Sequence, residues 1–166
     1  NKKYKFIKKD TKLLDVGAYP GGWSQVSSKI ITSGKILSLD LKKMDQLKNV
    51  SFLQSNFLEE NTKEKVFNFF SGSLNVVLSD MAADTTGNKS LDCIRTNQLC
   101  ANVINFSSKI LLPNGVLISK LFMGDDFLEV KDLAKTKFKK VQFFKPEASR
   151  NESKETYLYC AILKTL

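Results

Sequence analysis

Short apolar runs separated by stretches of helical periodicity set the tightest limit on how this chain can fold. The runs are Thr11–Val16 (TKLLDV), Lys35–Leu39 (KILSL), Val50–Leu53, Leu74–Leu78 (LNVVL), Val116–Leu121, Lys140–Phe144 and Thr156–Leu163. Helical spacing predicts helices over Gly22–Ile31, Glu59–Phe70, Leu91–Leu112 and Phe127–Lys137. Most of the runs are continuously apolar, not alternating, and such strands belong to a parallel sheet covered on both faces. The last two runs break the alternation, because Lys145–Lys154 is too short and too polar to be a crossover helix. They are expected to pair antiparallel. Pro113-Asn114-Gly115 reads as a stop and turn between the long helix and the fifth strand. The expectation is an open α/β sheet of seven strands, mostly parallel, with an antiparallel last strand. At 166 residues, with no repeat or linker, residues 1–166 read as one domain.

Composition removes several classes of chemistry. The chain has no histidine, which excludes Ser-His-Asp and Cys-His catalysis and His-ligated zinc. Its three cysteines, Cys93, Cys100 and Cys160, form no CxxC pair and read as small buried apolar residues of a reducing cytoplasmic compartment. No metal site is expected. No apolar run approaches a membrane span, so no membrane partner is expected. Lys and Arg number 26 against 17 acids, a formal charge of +9, which points to an anionic partner, RNA or DNA first. The lysines crowd at 2, 3, 5, 8, 9 and 12 and again from 135 to 154, and the two clusters are expected to meet across one site.

In an open α/β sheet, ligands sit outside the carboxyl ends of the strands. The first strand ends in Asp15-Val16-Gly17-Ala18-Tyr19-Pro20-Gly21-Gly22-Trp23, where glycines allow close backbone approach to a ligand. Asp40 ends the second strand, where an acid commonly accepts bonds from ribose hydroxyls. An adenosine-containing cofactor is implied. Gly17 is followed by Ala18-Tyr19-Pro20, so neither the dinucleotide fingerprint nor a Walker loop is met, and S-adenosylmethionine fits better. Asp80 ends the fourth strand, Lys120 lies near the end of the fifth, and Glu155 starts the last. If that strand runs antiparallel, all three meet at one edge. A lysine on an otherwise apolar strand needs a reason, and two carboxylates supply one.

The stretches Leu13–Gln25 (LLDVGAYPGGWSQ), Leu78–Ala82 (LSDMA), Ile118–Gly124 (ISKLFMG) and Lys145–Tyr157 (KPEASRNESKETY) resemble the FtsJ/RrmJ family of RNA ribose 2′-O-methyltransferases, in order and over nearly the whole chain. Leu39–Leu58 is similar to the ribosomal RNA branch of that family. The resemblance implies a Rossmann-like methyltransferase fold, S-adenosylmethionine as donor, and a Lys-Asp-Lys-Glu tetrad of which Asp80, Lys120 and Glu155 match three members. It implies cofactor contacts at Gly21, Trp23, Asp40 and Asp80, with Gly17 in the same loop. The tetrad's first lysine belongs upstream of Asn1, so a chain shortened at its N-terminus is expected. A cofactor-contacting Asp is Asn56 here, whose amide still exchanges hydrogen bonds with an adenine edge. The family's Ala-Pro after the catalytic Asp is Ala82-Ala83, which implies a looser loop.

The resemblance further implies that Lys120 takes the proton of a ribose 2′-hydroxyl or, as an ammonium, only orients it. Lys145, Ser149 and Arg150 would grip RNA phosphates. The substrate it favours is a uridine of large-subunit ribosomal RNA, with a monomeric cytoplasmic or organellar enzyme acting on it. A transfer RNA ribose is the runner-up. An NAD-dependent oxidoreductase and a non-catalytic RNA-binding assembly factor of the same fold stay open as other classes.

Overall fold

The computed structural model describes residues 5–145 and 155–164. The chain runs β1 (Lys12–Val16), α1 (Gly22–Ile30), β2 (Lys35–Asp40), β3 (Ser51–Gln54), α2 (Glu60–Phe69), β4 (Leu74–Ser79), α3 (Lys89–Ile110), β5 (Leu111–Phe122), α4 (Phe127–Lys137), β6 (Phe138–Phe144) and β7 (Glu155–Leu163). The strands form one seven-stranded sheet in the order β3-β2-β1-β4-β5-β7-β6. β7 lies between β5 and β6 and pairs antiparallel to both. The pairs β1–β2, β1–β4, β2–β3 and β4–β5 are parallel. The expected sheet is therefore present, its reversed strand inserted one place inside the edge.

Side chains alternate across this sheet with period two, and the two faces hold separate cores. Leu14, Val16, Leu37, Leu39, Val77, Leu117, Leu121, Leu158 and Cys160 pack against Val66 of α2, Val103 and Ile104 of α3 and Ala134 of α4. Leu13, Ile36, Val76, Leu78, Ile118, Tyr157 and Tyr159 form the other core, with Trp23 and Ile30 of α1 packed on it. A fully buried leucine such as Leu117 contributes roughly 1.5–3 kcal/mol. All three cysteines are buried and none forms a disulfide, as expected of small apolar side chains.

The Pro113-Asn114-Gly115 turn is corrected by the coordinates. The chain passes from α3 straight into the sheet at Leu111, which pairs with Leu74, and the next pair is Val76 with Val116. Proline and glycine thus form an irregularity within β5, a position proline tolerates because a bulge leaves its missing N–H unneeded. α3 also starts earlier than its apolar spacing indicates, because Asn88 caps it: its Oδ1 accepts the N–H groups of Ser90 and Leu91.

Asn97, fully buried on α3, ties down the end of β5. Its Oδ1 accepts the Phe122 N–H at 2.8 Å, and its Nδ2 donates to the Phe122 carbonyl at 3.0 Å and to Asp126 Oδ1 at 2.8 Å. One amide thus satisfies both backbone groups of Phe122. Asn97→Ala strands them in the interior, and urea unfolding should show a loss on the order of 2–4 kcal/mol, against near-neutrality at exposed Asn102 on the same helix.

Candidate active site

Period two also determines which side chains share a face at the carboxyl edge of the sheet. Asp80 follows Val76 and Leu78, Lys120 follows Ile118, and Tyr157 lies directly opposite Lys120 in the β5–β7 register. All three point to the α1 side. Glu155, two residues before Tyr157 and opposite Phe122, joins them because β7 starts at this edge. Asp80 is held beside the first strand by its own N–H, which donates to the Val16 carbonyl at 3.0 Å.

The Lys120 ammonium lies 2.8 Å from Asp80 Oδ1 and 3.5 Å from Glu155 Oε2, with its side chain only 13% exposed. The Tyr157 hydroxyl donates to Asp80 Oδ1 at 2.8 Å and stands 3.2 Å from Glu155 Oε1. Three stretches of sequence, each at least 35 positions from the next, are thus closed into one ring of four groups. Burial above all, and then the Asp80 and Glu155 charges, push the Tyr157 phenol far above its ordinary range, so it remains a donor and not a base. Its ring packs 5.5 Å from Trp23 and 5.8 Å from Phe144, centroid to centroid. Tyr157 was legible in the sequence: it is two residues from Glu155 on a strand, and i, i+2 side chains share a face.

The glycine loop sits beside this ring. Gly17 has φ +72°, and a Cβ there would stand 2.8 Å from the Met81 backbone nitrogen, so the loop and the end of β4 touch only because position 17 is glycine. Gly21, at φ +111°, precedes α1 as its N-cap residue. The Gly17 and Ala18 N–H groups both donate to the Leu39 carbonyl. Asp40 ends β2 as expected, with Oδ2 accepting the Tyr19 N–H at 2.9 Å and Oδ1 the Lys42 N–H at 2.8 Å. Each oxygen keeps a second lone pair, so the acid that shapes the loop still has acceptor capacity for hydroxyls. Asn56 follows β3, half-buried, with Oδ1 accepting the Leu58 N–H at 3.0 Å.

Two sequence expectations shift. Ala83 does not float free: its N–H donates to buried Thr96 at 3.1 Å, a bond the family's proline cannot make. The basic clusters do not meet here. Lys145 is exposed at the end of β6 near Glu155, but Lys8, Lys9 and Lys12 lie at the opposite edge, where β1 begins. Ser149 and Arg150 lie outside the described residues.

Known proteins of the same kind bear directly on this geometry. A model of the FtsJ-like methyltransferase family matches residues 1–163. The chain belongs to the FtsJ-like methyltransferase family. A Pelagibacter ubique protein named ribosomal RNA large subunit methyltransferase E is 40% identical over 164 residues, covering 99% of this chain and 81% of that one. A Rickettsia akari protein of the same name is 43% identical, covering 95% and 72%. The crystal structure of a Plasmodium falciparum protein described as a ribosomal RNA methyltransferase superposes with a TM-score of 0.85 at 29% identity, covering 98% and 91%. Methanococcus jannaschii fibrillarin, at 15% identity and a TM-score of 0.67, shares the fold.

This FtsJ-like chain is therefore a methyltransferase that uses S-adenosylmethionine. The residues at the rim fit that donor. Asp40 and Asn56 offer an acceptor carboxylate and an amide at the ends of adjacent strands. Two carboxylates and one ammonium give the ring a net negative charge, which suits a sulfonium cation.

Beneath the loop lies a buried acid. Asp15 is 1% exposed; its Oδ2 accepts the Ser24 hydroxyl at 2.5 Å, Ser24 and Ser38 bond at 2.6 Å, and Oδ1 has no partner among the described residues. Burial pushes the carboxyl up to about 6, against the Ser24 bond that pulls it down. A raised value means the fold favours the protonated acid. That stabilisation is complete below the ordinary carboxylate range and is lost as pH climbs through about 6. Asp15→Asn should therefore match the native protein near pH 4 and exceed it near pH 8, by up to about 3 kcal/mol in denaturant unfolding.

Proposed function

We propose that this methyltransferase acts on a ribose 2′-hydroxyl of large-subunit ribosomal RNA, and that Lys120 is the residue that meets the hydroxyl. The observation that carries this reading is a largely buried lysine held between Asp80 and Glu155 beside the glycine loop. The names of the Pelagibacter and Rickettsia relatives support the RNA class. Uridine is the nucleotide this reading favours.

When bound, S-adenosylmethionine supplies a methyl group already activated by its sulfonium. The chain's own work is placement and proton removal. Gly17, Gly21 and Trp23 line the cofactor side of the rim, Asp40 receives hydroxyls and Asn56 meets the adenine edge. Positioning the hydroxyl against the donor accounts for much of the rate, because two reactants are ordered in advance. The Lys120 ammonium first releases a proton to solvent; the neutral amine then takes the hydroxyl proton, directly or through one water, and Asp80 and Glu155 hold the ammonium that results. Asp80 also orients that amine, while Tyr157 donates to Asp80 and keeps its carboxylate aimed. Lys145, with Ser149 and Arg150, grips phosphates and sets the register of the RNA without reading its sequence.

The Lys120 role separates cleanly by substitution. Lys120→Ala should leave the calorimetric affinity for S-adenosylmethionine within about threefold while methyl transfer to ribosomal RNA falls by roughly 10²–10⁴. Lys120→Arg keeps a positive charge between the carboxylates but takes up no proton. It should stay as inactive as the alanine variant; near-normal transfer by arginine would mean that Lys120 orients the hydroxyl and removes no proton.

A further inference from the structure

The basic excess of this chain is concentrated at the edge of the sheet that faces away from the active rim. We infer that this edge is a second RNA-binding surface, which holds phosphodiester backbone at a distance from the ribose being methylated. The inference rests on the RNA reading above and extends it to a surface that reading does not use.

Lys12 and Lys35 are the first residues of β1 and β2 and are partners in register. Their ammonium groups stand 3.3 and 3.4 Å from the carbonyls of Phe70 and Phe69 at the end of α2, which fixes both charges at the edge. The preceding segment is fastened to the same place. The Lys9 carbonyl accepts the N–H groups of Thr32, Ser33 and Gly34 at 3.0, 2.8 and 3.0 Å. A Cβ on Gly34 would come within 2.0 Å of the Thr11 carbonyl oxygen, so only glycine lets these segments cross. Lys8 and Lys9 are exposed on that fastened segment, and Lys29 is exposed in the last turn of α1. Lys48 is exposed in the loop before β3. With Lys35, Asn49 and Phe69 it lines an open groove of about 560 Å³ between the starts of β2 and β3.

The three segments 8–12, 29–36 and 46–51 carry six lysines and one acid, Asp10. The active rim, by contrast, is close to charge balance, with Asp40, Asp80, Asp84, Asp126 and Glu155 beside Lys42, Lys43, Lys120 and Lys145. Helix C-termini favour cations, and that accounts for Lys29 and for the contacts of Lys12 and Lys35 with α2. It does not account for Lys8, Lys9 and Lys48, which are on loops. A row of separated point charges along a polar groove suits a polyanion with regularly spaced phosphates better than a single small anion. The contact is distinct from the catalytic one. Lys35 and Asp40 are the first and last residues of β2, five steps and roughly 17 Å apart at the rise of a strand. Phosphates held here strengthen binding of a large folded RNA and leave the chemistry at Lys120 untouched.

The test compares two double variants of equal charge change. One removes the edge, Lys9→Glu with Lys48→Glu. The other alters mid-helix positions of α2 and α4 away from it, Lys65→Glu with Lys131→Glu. Each is checked for native melting, then titrated by fluorescence anisotropy with a transcript of large-subunit ribosomal RNA, and assayed for methyl transfer. The edge variant should bind the transcript roughly tenfold more weakly at about 0.1 M salt, with a log–log salt slope shallower by about 1.5, for two lost phosphate contacts. Its KM for the RNA should rise with kcat unchanged, while the helix variant stays within about threefold of the native protein. Equal losses in both variants, or native affinity in the edge variant, would overturn the inference. So would an edge variant that binds the bare transcript normally and fails only on assembled large subunits, since the partner would then be a protein. A native enzyme that neither binds nor methylates RNA would overturn the underlying function reading and this inference with it; a native enzyme that methylates beside an unaffected edge variant overturns the inference alone.

Discussion

A lysine ammonium that is 13% exposed, on a strand that carries no other charge, is tolerable only where carboxylates meet it. Lys120 imposes that condition, and the topology answers it. Asp80 arrives from β4, the parallel neighbour on one side. Glu155 and Tyr157 arrive from β7, the neighbour on the other, and they do so at the correct edge only because β7 runs in reverse. Had the last strand been parallel, its first residues would lie at the far edge, and the ammonium would have one carboxylate and no phenol. Removing one partner of such a buried pair commonly costs several kcal/mol, since the remaining charge is left unpaired. The reversed strand is thus a requirement of the site as much as a feature of the fold.

The second constraint is on the other side of the same rim. α1 seats its buried Ser24 and Ser27 on the sheet, small side chains that allow the helix a close approach over Asp15 and Ser38. Gly17 permits the loop to touch the Met81 backbone, and Asp40 gathers the N–H groups of Tyr19 and Lys42. The proposed donor position is therefore framed by backbone that is already bonded before any ligand arrives. Charge differs along the strand axis: acids and lysines mix where the chemistry takes place, and lysines predominate where β1 and β2 begin.

Much of this was legible in the sequence, for definite reasons. Continuous apolar runs separated by helical spacing predicted the parallel sheet, and the short polar stretch after Lys145 predicted the reversal. Asp80, Lys120 and Glu155 followed from strand ends alone. Tyr157 was equally available, since alternation puts it on the face of Glu155, but a tyrosine inside an apolar strand reads first as core. Asn97 gave no signal, because a lone asparagine in a helix pattern does not announce that it will satisfy the backbone of a strand 25 positions later. Pro113-Asn114-Gly115 misled because turn-forming residues serve equally in a bulge. The basic clusters were misplaced for another reason. Charge in sequence carries no direction until one asks which end of a strand it flanks, and Lys8, Lys9 and Lys12 precede β1 where the ligand loop follows it.

The central claim is that one rim of the sheet joins a methyl donor to the Lys120 ring. A crystal structure of the protein with S-adenosylhomocysteine tests it most directly. The account predicts the ligand's ribose at Asp40, its adenine beside Asn56, and its sulfur facing Asp80 and Lys120 with the four-group ring intact. A ligand seated elsewhere, or a ring that disperses when the ligand binds, would contradict it.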